Sequence, residues 1–262
     1  VATGGSTWPS TGSTGDGYII STALGHSIKK PRPALVPLIV HEQKLAKSMQ
    51  GVSLRNVRAT AFQGESSSID SALTPDCIYG RGEKKIPRLP VIESRFGEMI
   101  FTHFGLGGPI ILLMSLAVVE ALEKGPVSVL VDLKPAITRE QLHKRLQRDL
   151  DKSSKKKISS IMKEYLPSKM IDPFIDLTGI MPEKLSNQIT AAEREKIVEL
   201  LKALRFNVKS PLALEKAIVT AGGVSLAEID QRTMASKLIK GLYFCGEVID
   251  IDADTGGYNL QA

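Results

Sequence analysis

The sequence predicts an α/β fold, α+β overall, in which α/β segments at the two ends of the chain enclose a β-rich stretch and then a helical one. Three patterns predict it. Glycine turns follow short apolar runs near both ends, at Ala2-Thr3-Gly4-Gly5, Thr220-Ala221-Gly222-Gly223 and Thr255-Gly256-Gly257-Tyr258-Asn259. Between residues 34 and 133 the apolar residues come in short or alternating runs. Between 138 and 204 they recur at helical spacing.

Val1 to Ser27 reads as a strand end, a glycine-rich loop and a helix from Gly17 to Leu24, with Asp16 as its cap and Gly25 as its stop. Pro31 and Pro33 break the chain and mark a boundary. Leu35 to Val40, Val52 to Phe62 and Glu98 to Thr102 read as strands, and Gly64 to Pro90 as a long polar loop. Gly105-Leu106-Gly107-Gly108-Pro109 opens a helix over Ile110 to Leu122, with Pro109 in the first turn, where its missing N–H costs nothing. Val127 to Leu133 is a β run. Thr138-Arg139-Glu140-Gln141 offers a capping box. Three stripes follow: Leu142, Leu146 and Leu150; Ile158, Ile161, Met162 and Tyr165; Ile197, Leu200, Leu201 and Leu204. They are core faces of helices packed on one another. From Pro211 the pattern returns to α/β, with a short strand Leu242 to Cys245 running into Gly246-Glu247.

The 262 residues are 42% hydrophobic and 24% charged, which suits a globular protein with a sizeable core and no need of disulfides. Cys77 and Cys245 lie far apart and read as free thiols of a reducing compartment, hence a cytoplasmic protein. No apolar run reaches the ~18 residues of a membrane span. The chain begins at Val1 inside an apparent strand and stops in an apparent first helical turn, Asn259 to Ala262, which leads us to expect a portion of a longer protein. The net charge of +6 is concentrated: Arg139 to Lys169 holds ten Lys/Arg and four Asp/Glu, and the remainder balances.

Glycine lets a backbone approach a flat ring or a phosphate with no side chain between them. Each glycine turn alone could equally be a tight loop. The strand ending at Cys245 delivers Glu247 to a strand tip, where a carboxylate can accept hydrogen bonds from a polyol or ribose. Asp250, Asp252 and Asp254 follow, but without the spacing or closing Glu of a calcium loop, so no metal is assigned.

Ala2-Thr3-Gly4-Gly5, Trp8-Pro9 and Gly12-Ser13-Thr14-Gly15-Asp16-Gly17-Tyr18 resemble the flavin-side motif of the HI0933-like bacterial flavoproteins. In order along the chain, Arg32 to Leu38, Phe101 to Pro109, Thr220 to Val224 and Gly246 to Asn259 are similar to the same family. The resemblance implies an FAD-dependent oxidoreductase. Its glutathione-reductase-like FAD-binding domain (1–32 and 207–262) would be interrupted by an inserted β-barrel-like domain (33–135) and a helical subdomain of the insert (136–206). Carried over by position, Thr3, Gly4 and Gly5 would lie along the FAD. Gly246 and Glu247 would hold its ribityl–pyrophosphate part, with Asp254 close by in the cofactor-binding set. Gly256, Gly257, Tyr258 and Asn259 would face the isoalloxazine, with Thr220, Ala221, Gly222 and Gly223 beside it.

The Gly-x-Gly-x-x-Gly turn with which the family binds the ADP half of FAD has no counterpart among these residues. The chain alone is therefore expected to bind FAD poorly, and the missing N-terminal ADP-binding region is an expected partner. NAD(P)H is the expected reductant and a small molecule the expected substrate. The implied chemistry is hydride transfer through the flavin, for which no side chain must be a covalent catalyst. His103 is a candidate proton donor, weighed against a structural histidine at a strand end. Competing alternatives are a non-catalytic module and a nucleic-acid contact through the basic run Lys152 to Lys157, which lacks interleaved aromatics.

Overall fold

A computed structural model describes residues 1–68, 91–254 and 256–261. Cys77, Thr255, Ala262 and the later part of the expected 64–90 loop lie outside them. The chain divides into two compact units: Val1–Leu38, Ile111–Glu123 and Ser210–Ala262 form the first, Ile39–Ile110 and Lys124–Lys209 the second.

In the first unit, helix α1 (Asp16–Ala23) is followed by β1 (Ile28–Ala34), which pairs antiparallel with β8 (Val219–Val224), with a register shift between Lys29 and Arg32. The expected break at Pro31 and Pro33 is instead part of β1. An edge strand tolerates prolines, because a missing N–H can fall on its unpaired side. Gly15, in the left-handed region at φ 83°, takes the cap position expected of Asp16, which becomes the first helical residue. Tyr18, Val224, Ile229, Phe244, Val248 and Ile249 pack as one core cluster. Val1 is tied in at both ends: its amino group donates to Tyr243 O at 2.7 Å, and its carbonyl accepts from Cys245 N–H at 3.1 Å. In place of the expected strand, residues 242–245 hold an isolated bridge, Ala235 with Tyr243, and single backbone hydrogen bonds such as Phe244 N–H to Met234 O. A short final helix, here α8 (Gly256–Gln261), closes the described chain.

The second unit is built on a closed barrel ordered β2 (Leu38–Val40), β5 (Gly105–Gly107), β4 (Val91–Phe101), β3 (Ser53–Gln63), β6 (Val127–Asp132) and β7 (Leu204–Pro211). Closure leaves no edge strand. Phe62, Phe101 and Phe206 are fully buried, and the last two rings lie 5.7 Å apart. The mixed α/β fold with a closed barrel expected from the sequence is thus present. Helix α2 (Gln43–Ser48) joins β2 to β3, and α3 (Pro109–Leu122), which from Ile111 on belongs to the first unit, follows β5. Then come α4 (Arg139–Lys152), α5 (Ile158–Met162), α6 (Ser168–Thr178) and α7 (Ala191–Lys202). Thr138 and Gln141 form the expected capping box on α4, and Thr190 with Glu193 forms a second on α7. Leu142, Leu146, Leu150, Ile158, Ile161, Met162 and Tyr165 are all buried, as their spacing requires.

One feature of this unit has no signature in the sequence. Lys202 and Asp132 form a fully buried ion pair at 2.8 Å. The same ammonium donates to the carbonyls of Lys134 (3.2 Å) and Ile137 (2.8 Å), tying α7 to the segment after β6.

Candidate functional site

The first unit brings the N-terminal loop, α1, β8 and the Gly246–Val248 turn together around Glu247. Glu247 sits in a single 3-10 turn, Gly246–Val248, with Val248 and Ile249 anchored in the core. Its side chain is buried. Oε1 accepts the Thr220 backbone N–H at 2.7 Å and the Thr7 hydroxyl at 3.3 Å. The Thr220 hydroxyl in turn accepts the Ser6 N–H at 2.9 Å. The Tyr18 hydroxyl donates to the Glu247 carbonyl at 3.3 Å. Burial, and secondarily the Glu247 charge, push the Tyr18 phenol up to about 12, so it is a neutral donor in ordinary conditions. Among the described residues no donor meets Glu247 Oε2. One oxygen is spent on the protein and one is left to accept from something else.

The glycines singled out in the sequence divide into two kinds. At Gly5 a Cβ would sit on the Thr220 hydroxyl and 2.5 Å from Glu247 Oε1. Glycine is required there so that the N-terminal loop can close over the carboxylate. Gly222 and Gly223 likewise serve the protein: the space of a side chain is filled by the Lys30 carbonyl at 2.6 Å and the Val248 carbonyl at 2.5 Å. They belong to β8 rather than to the expected turn, and the buried Thr220 and Ala221 precede them in the same strand. A Cβ at Gly4 would come within 2.8 Å of Ser13 Oγ. By contrast, a Cβ at Gly246 or Gly257 would meet no atom within 4 Å. These two positions face open space.

Thr3 is half-buried next to Gly4. Gly256 opens α8, in which Gly257 and Tyr258 are exposed. Asn259 is buried and fixes the approach to the helix, its Oδ1 accepting the Ala253 N–H at 3.1 Å. Asp254 is exposed just before it. His103 belongs to the second unit, exposed in the turn between β4 and β5 with its ring against Phe104. Among the described residues no three His, Cys, Asp or Glu side chains gather to hold a metal ion, and no helix is long and apolar enough to cross a membrane.

Sequence reasoning gave no role to Thr7 and Tyr18, although both lie in or beside the first glycine-rich loop. It also passed over His26. Its buried ring lies between Glu228 Oε2 at 3.2 Å and Ser236 Oγ at 3.0 Å. Ser236 Oγ also accepts the N–H groups of Leu238 and Ile239, so this group fixes the 225–242 segment.

A closed barrel bearing helices, inserted in an α/β unit that buries a glutamate behind a glycine loop, defines a two-unit α/β protein with a barrel insert. The sequence profile described as the HI0933-like protein barrel and H2TH domain matches residues 87–219, and the chain belongs to that family. Over its whole length it is 29% identical to a ribosomal RNA dihydrouridine synthase of Haemophilus influenzae, of which it covers 56%. It is 28% identical, again over its whole length, to a 3-dehydro-bile acid delta(4,6)-reductase of Clostridium scindens, covering 58%. A ribosomal RNA dihydrouridine synthase of Escherichia coli is 26% identical, with 56% covered. The chain therefore spans a little over half the length of these relatives.

Proposed function

We propose that this chain is the flavin-ring side of an FAD-dependent oxidoreductase, its FAD-binding part formed by the segments at the two ends around the barrel and helical insert. The carrying observation is Glu247, buried yet with Oε2 clear of donors among the described residues, beside Gly246, which faces open space. That pairing fits a cofactor with a polyol chain. Glu247 would accept from a ribityl or ribose hydroxyl, a charge-assisted bond of about 1.5–3 kcal/mol. Thr3, Gly4 and Gly5 would line the same stretch, and Gly256, Gly257, Tyr258 and Asn259 would border the ring. Flavin, when bound, supplies the capacity to take and give hydride. The protein's own contribution is to orient it. Thr7, Thr220 and Tyr18 hold the Glu247 segment in place so that no reorganisation is needed on binding.

The names of the relatives narrow the reaction. A dihydrouridine synthase and a delta(4,6)-reductase both saturate carbon–carbon double bonds made electron-poor by a nearby carbonyl. We assign this chain the same class of reduction, with a nicotinamide cofactor as the source of hydride. The acceptor would be either a nucleobase in RNA or a small cyclic enone.

The test uses the full-length protein. It should purify yellow, bleach on anaerobic mixing with NADH or NADPH, and regain colour on adding an enone. A colourless protein that takes up no added FAD would overturn the assignment.

A further inference from the structure

The helical part of the second unit carries a surface that the flavin site does not use. The basic excess of the chain lies between Arg139 and Lys169. Helix α4 buries Leu142, Leu146 and Leu150. Two residues along a helix is a rotation of about 200°, so Lys144, Arg148 and Lys152 form a stripe on the opposite face, and all three are exposed. The turn after α4 adds exposed Lys155 and Lys156. Its backbone is fixed: the Lys156 N–H donates to Ser153 O at 2.8 Å, and the Lys156 carbonyl accepts from Ser186 N–H at 2.9 Å and Ser186 Oγ at 2.8 Å. Lys163 stands exposed just past α5.

Neighbouring cations are paired within the protein. Arg139 meets Glu195, Arg145 and Arg148 meet Asp149, Lys157 meets Glu183, and Lys169 donates to the Gln50 carbonyl. Lys144, Lys152, Lys155, Lys156 and Lys163 have no such partner among the described residues. On this face the lysines without partners outnumber the exposed Asp151, and a polyanion relieves their mutual repulsion. From Lys144 to Lys152 the stripe runs about 12 Å, long enough to follow several phosphates of a nucleic-acid strand. The aromatic of this region, Tyr165, is buried, so the face offers charge without base stacking.

We propose that the Lys144–Lys156 face binds the phosphate backbone of a structured RNA. It reads shape and charge rather than sequence. This rests on the reductase function proposed above and selects, of its two acceptor classes, the nucleobase in RNA.

The experiment measures binding of the full-length protein to a fluorescein-labelled ribosomal RNA stem-loop across a salt series. It compares the wild type with the quadruple variant Lys144→Gln, Lys152→Gln, Lys155→Gln, Lys156→Gln. The variant is expected to bind more than tenfold more weakly at low salt. Its slope of log K against log salt should be shallower by about 3, since each phosphate contact contributes roughly 0.7–0.9. Flavin content and reduction of a small enone should not change. The single variant Lys152→Glu, expected to act in the same direction, guards against a folding defect in the quadruple one. Unchanged RNA affinity and slope would overturn the proposal. So would lysine-dependent binding to phosphatidylglycerol vesicles with none to RNA. A colourless protein that still binds RNA through these lysines would uphold the RNA surface while removing the flavin assignment.

Discussion

Glu247 Oε1 accepts the backbone N–H of Thr220 at 2.7 Å, joining the Gly246–Val248 turn to the start of strand β8. Thr220 receives the Ser6 N–H on its own hydroxyl, so the two residues together close the N-terminal loop onto the sheet. The carboxylate proposed for the cofactor is thereby also a structural acceptor.

Replacement of Glu247 should consequently act twice. Glu247→Ala leaves the buried Thr220 N–H without its partner, at a cost of about 1–3 kcal/mol. It should also lower flavin retention in the full-length protein several-fold. Glu247→Gln keeps a carbonyl acceptor for that N–H, so it should recover most of the stability but less of the flavin binding. Chemical denaturation and flavin content after dialysis separate the two effects. Equal flavin content in all three proteins would remove Glu247 from the cofactor site.

Gly5 and Gly257 should respond in opposite ways. Gly5→Ala forces a methyl onto the Thr220 hydroxyl and Glu247 Oε1, and should destabilise by about 1–3 kcal/mol. At Gly257 an added Cβ meets no atom within 4 Å, so Gly257→Val should change stability by less than about 1 kcal/mol. If Gly257 borders the ring as proposed, the added side chain should nevertheless slow flavin reduction. Thermal melts and stopped-flow reduction provide the comparison, and normal reduction kinetics in Gly257→Val would argue that α8 is not beside the ring.

Tyr18 gives an alkaline signature. Its folded pKa is about 12 against an ordinary value of 10.0. The neutral phenol is favoured by the fold, so its contribution to stability is complete below about pH 10. It is lost as the pH climbs towards 12, where the unfolded chain ionises first. Stability of the wild type should fall over that window, and Tyr18→Phe should flatten the fall. Denaturant midpoints measured between pH 9 and 12 would reveal it; identical profiles for both proteins would count against the buried hydrogen-bonded phenol.

The ion pair of Lys202 and Asp132 makes a separate test of the second unit. Lys202→Met takes the cation away from a buried carboxylate, so a loss of about 3–5 kcal/mol is expected. The double variant Lys202→Met, Asp132→Leu should recover much of it. A single variant as stable as the wild type would show the pair to be hydrated in solution.

Much of the architecture is determined by short-range pattern. Helical spacing alone selected Leu142, Leu146 and Leu150 for burial, and a four-residue motif selected the cap of α4, because both depend on helix geometry that is the same in any protein. The order of the glycine motifs located the Gly5 loop and the Glu247 turn, whereas Thr220 to Gly223, which reads as a turn, lies in strand β8. What those glycines do was decided only by the tertiary structure. Gly222 and Gly257 look alike in sequence, yet one is packed by the Lys30 carbonyl and the other faces open space. The same holds for Lys202, an unremarkable lysine at a helix end that finds Asp132 at the end of a strand. Local sequence sets which backbone shapes and faces are available. Which group lies against which depends on chain closure over long separations, as between Ser6, Thr220 and Glu247, and that is a property of the folded packing.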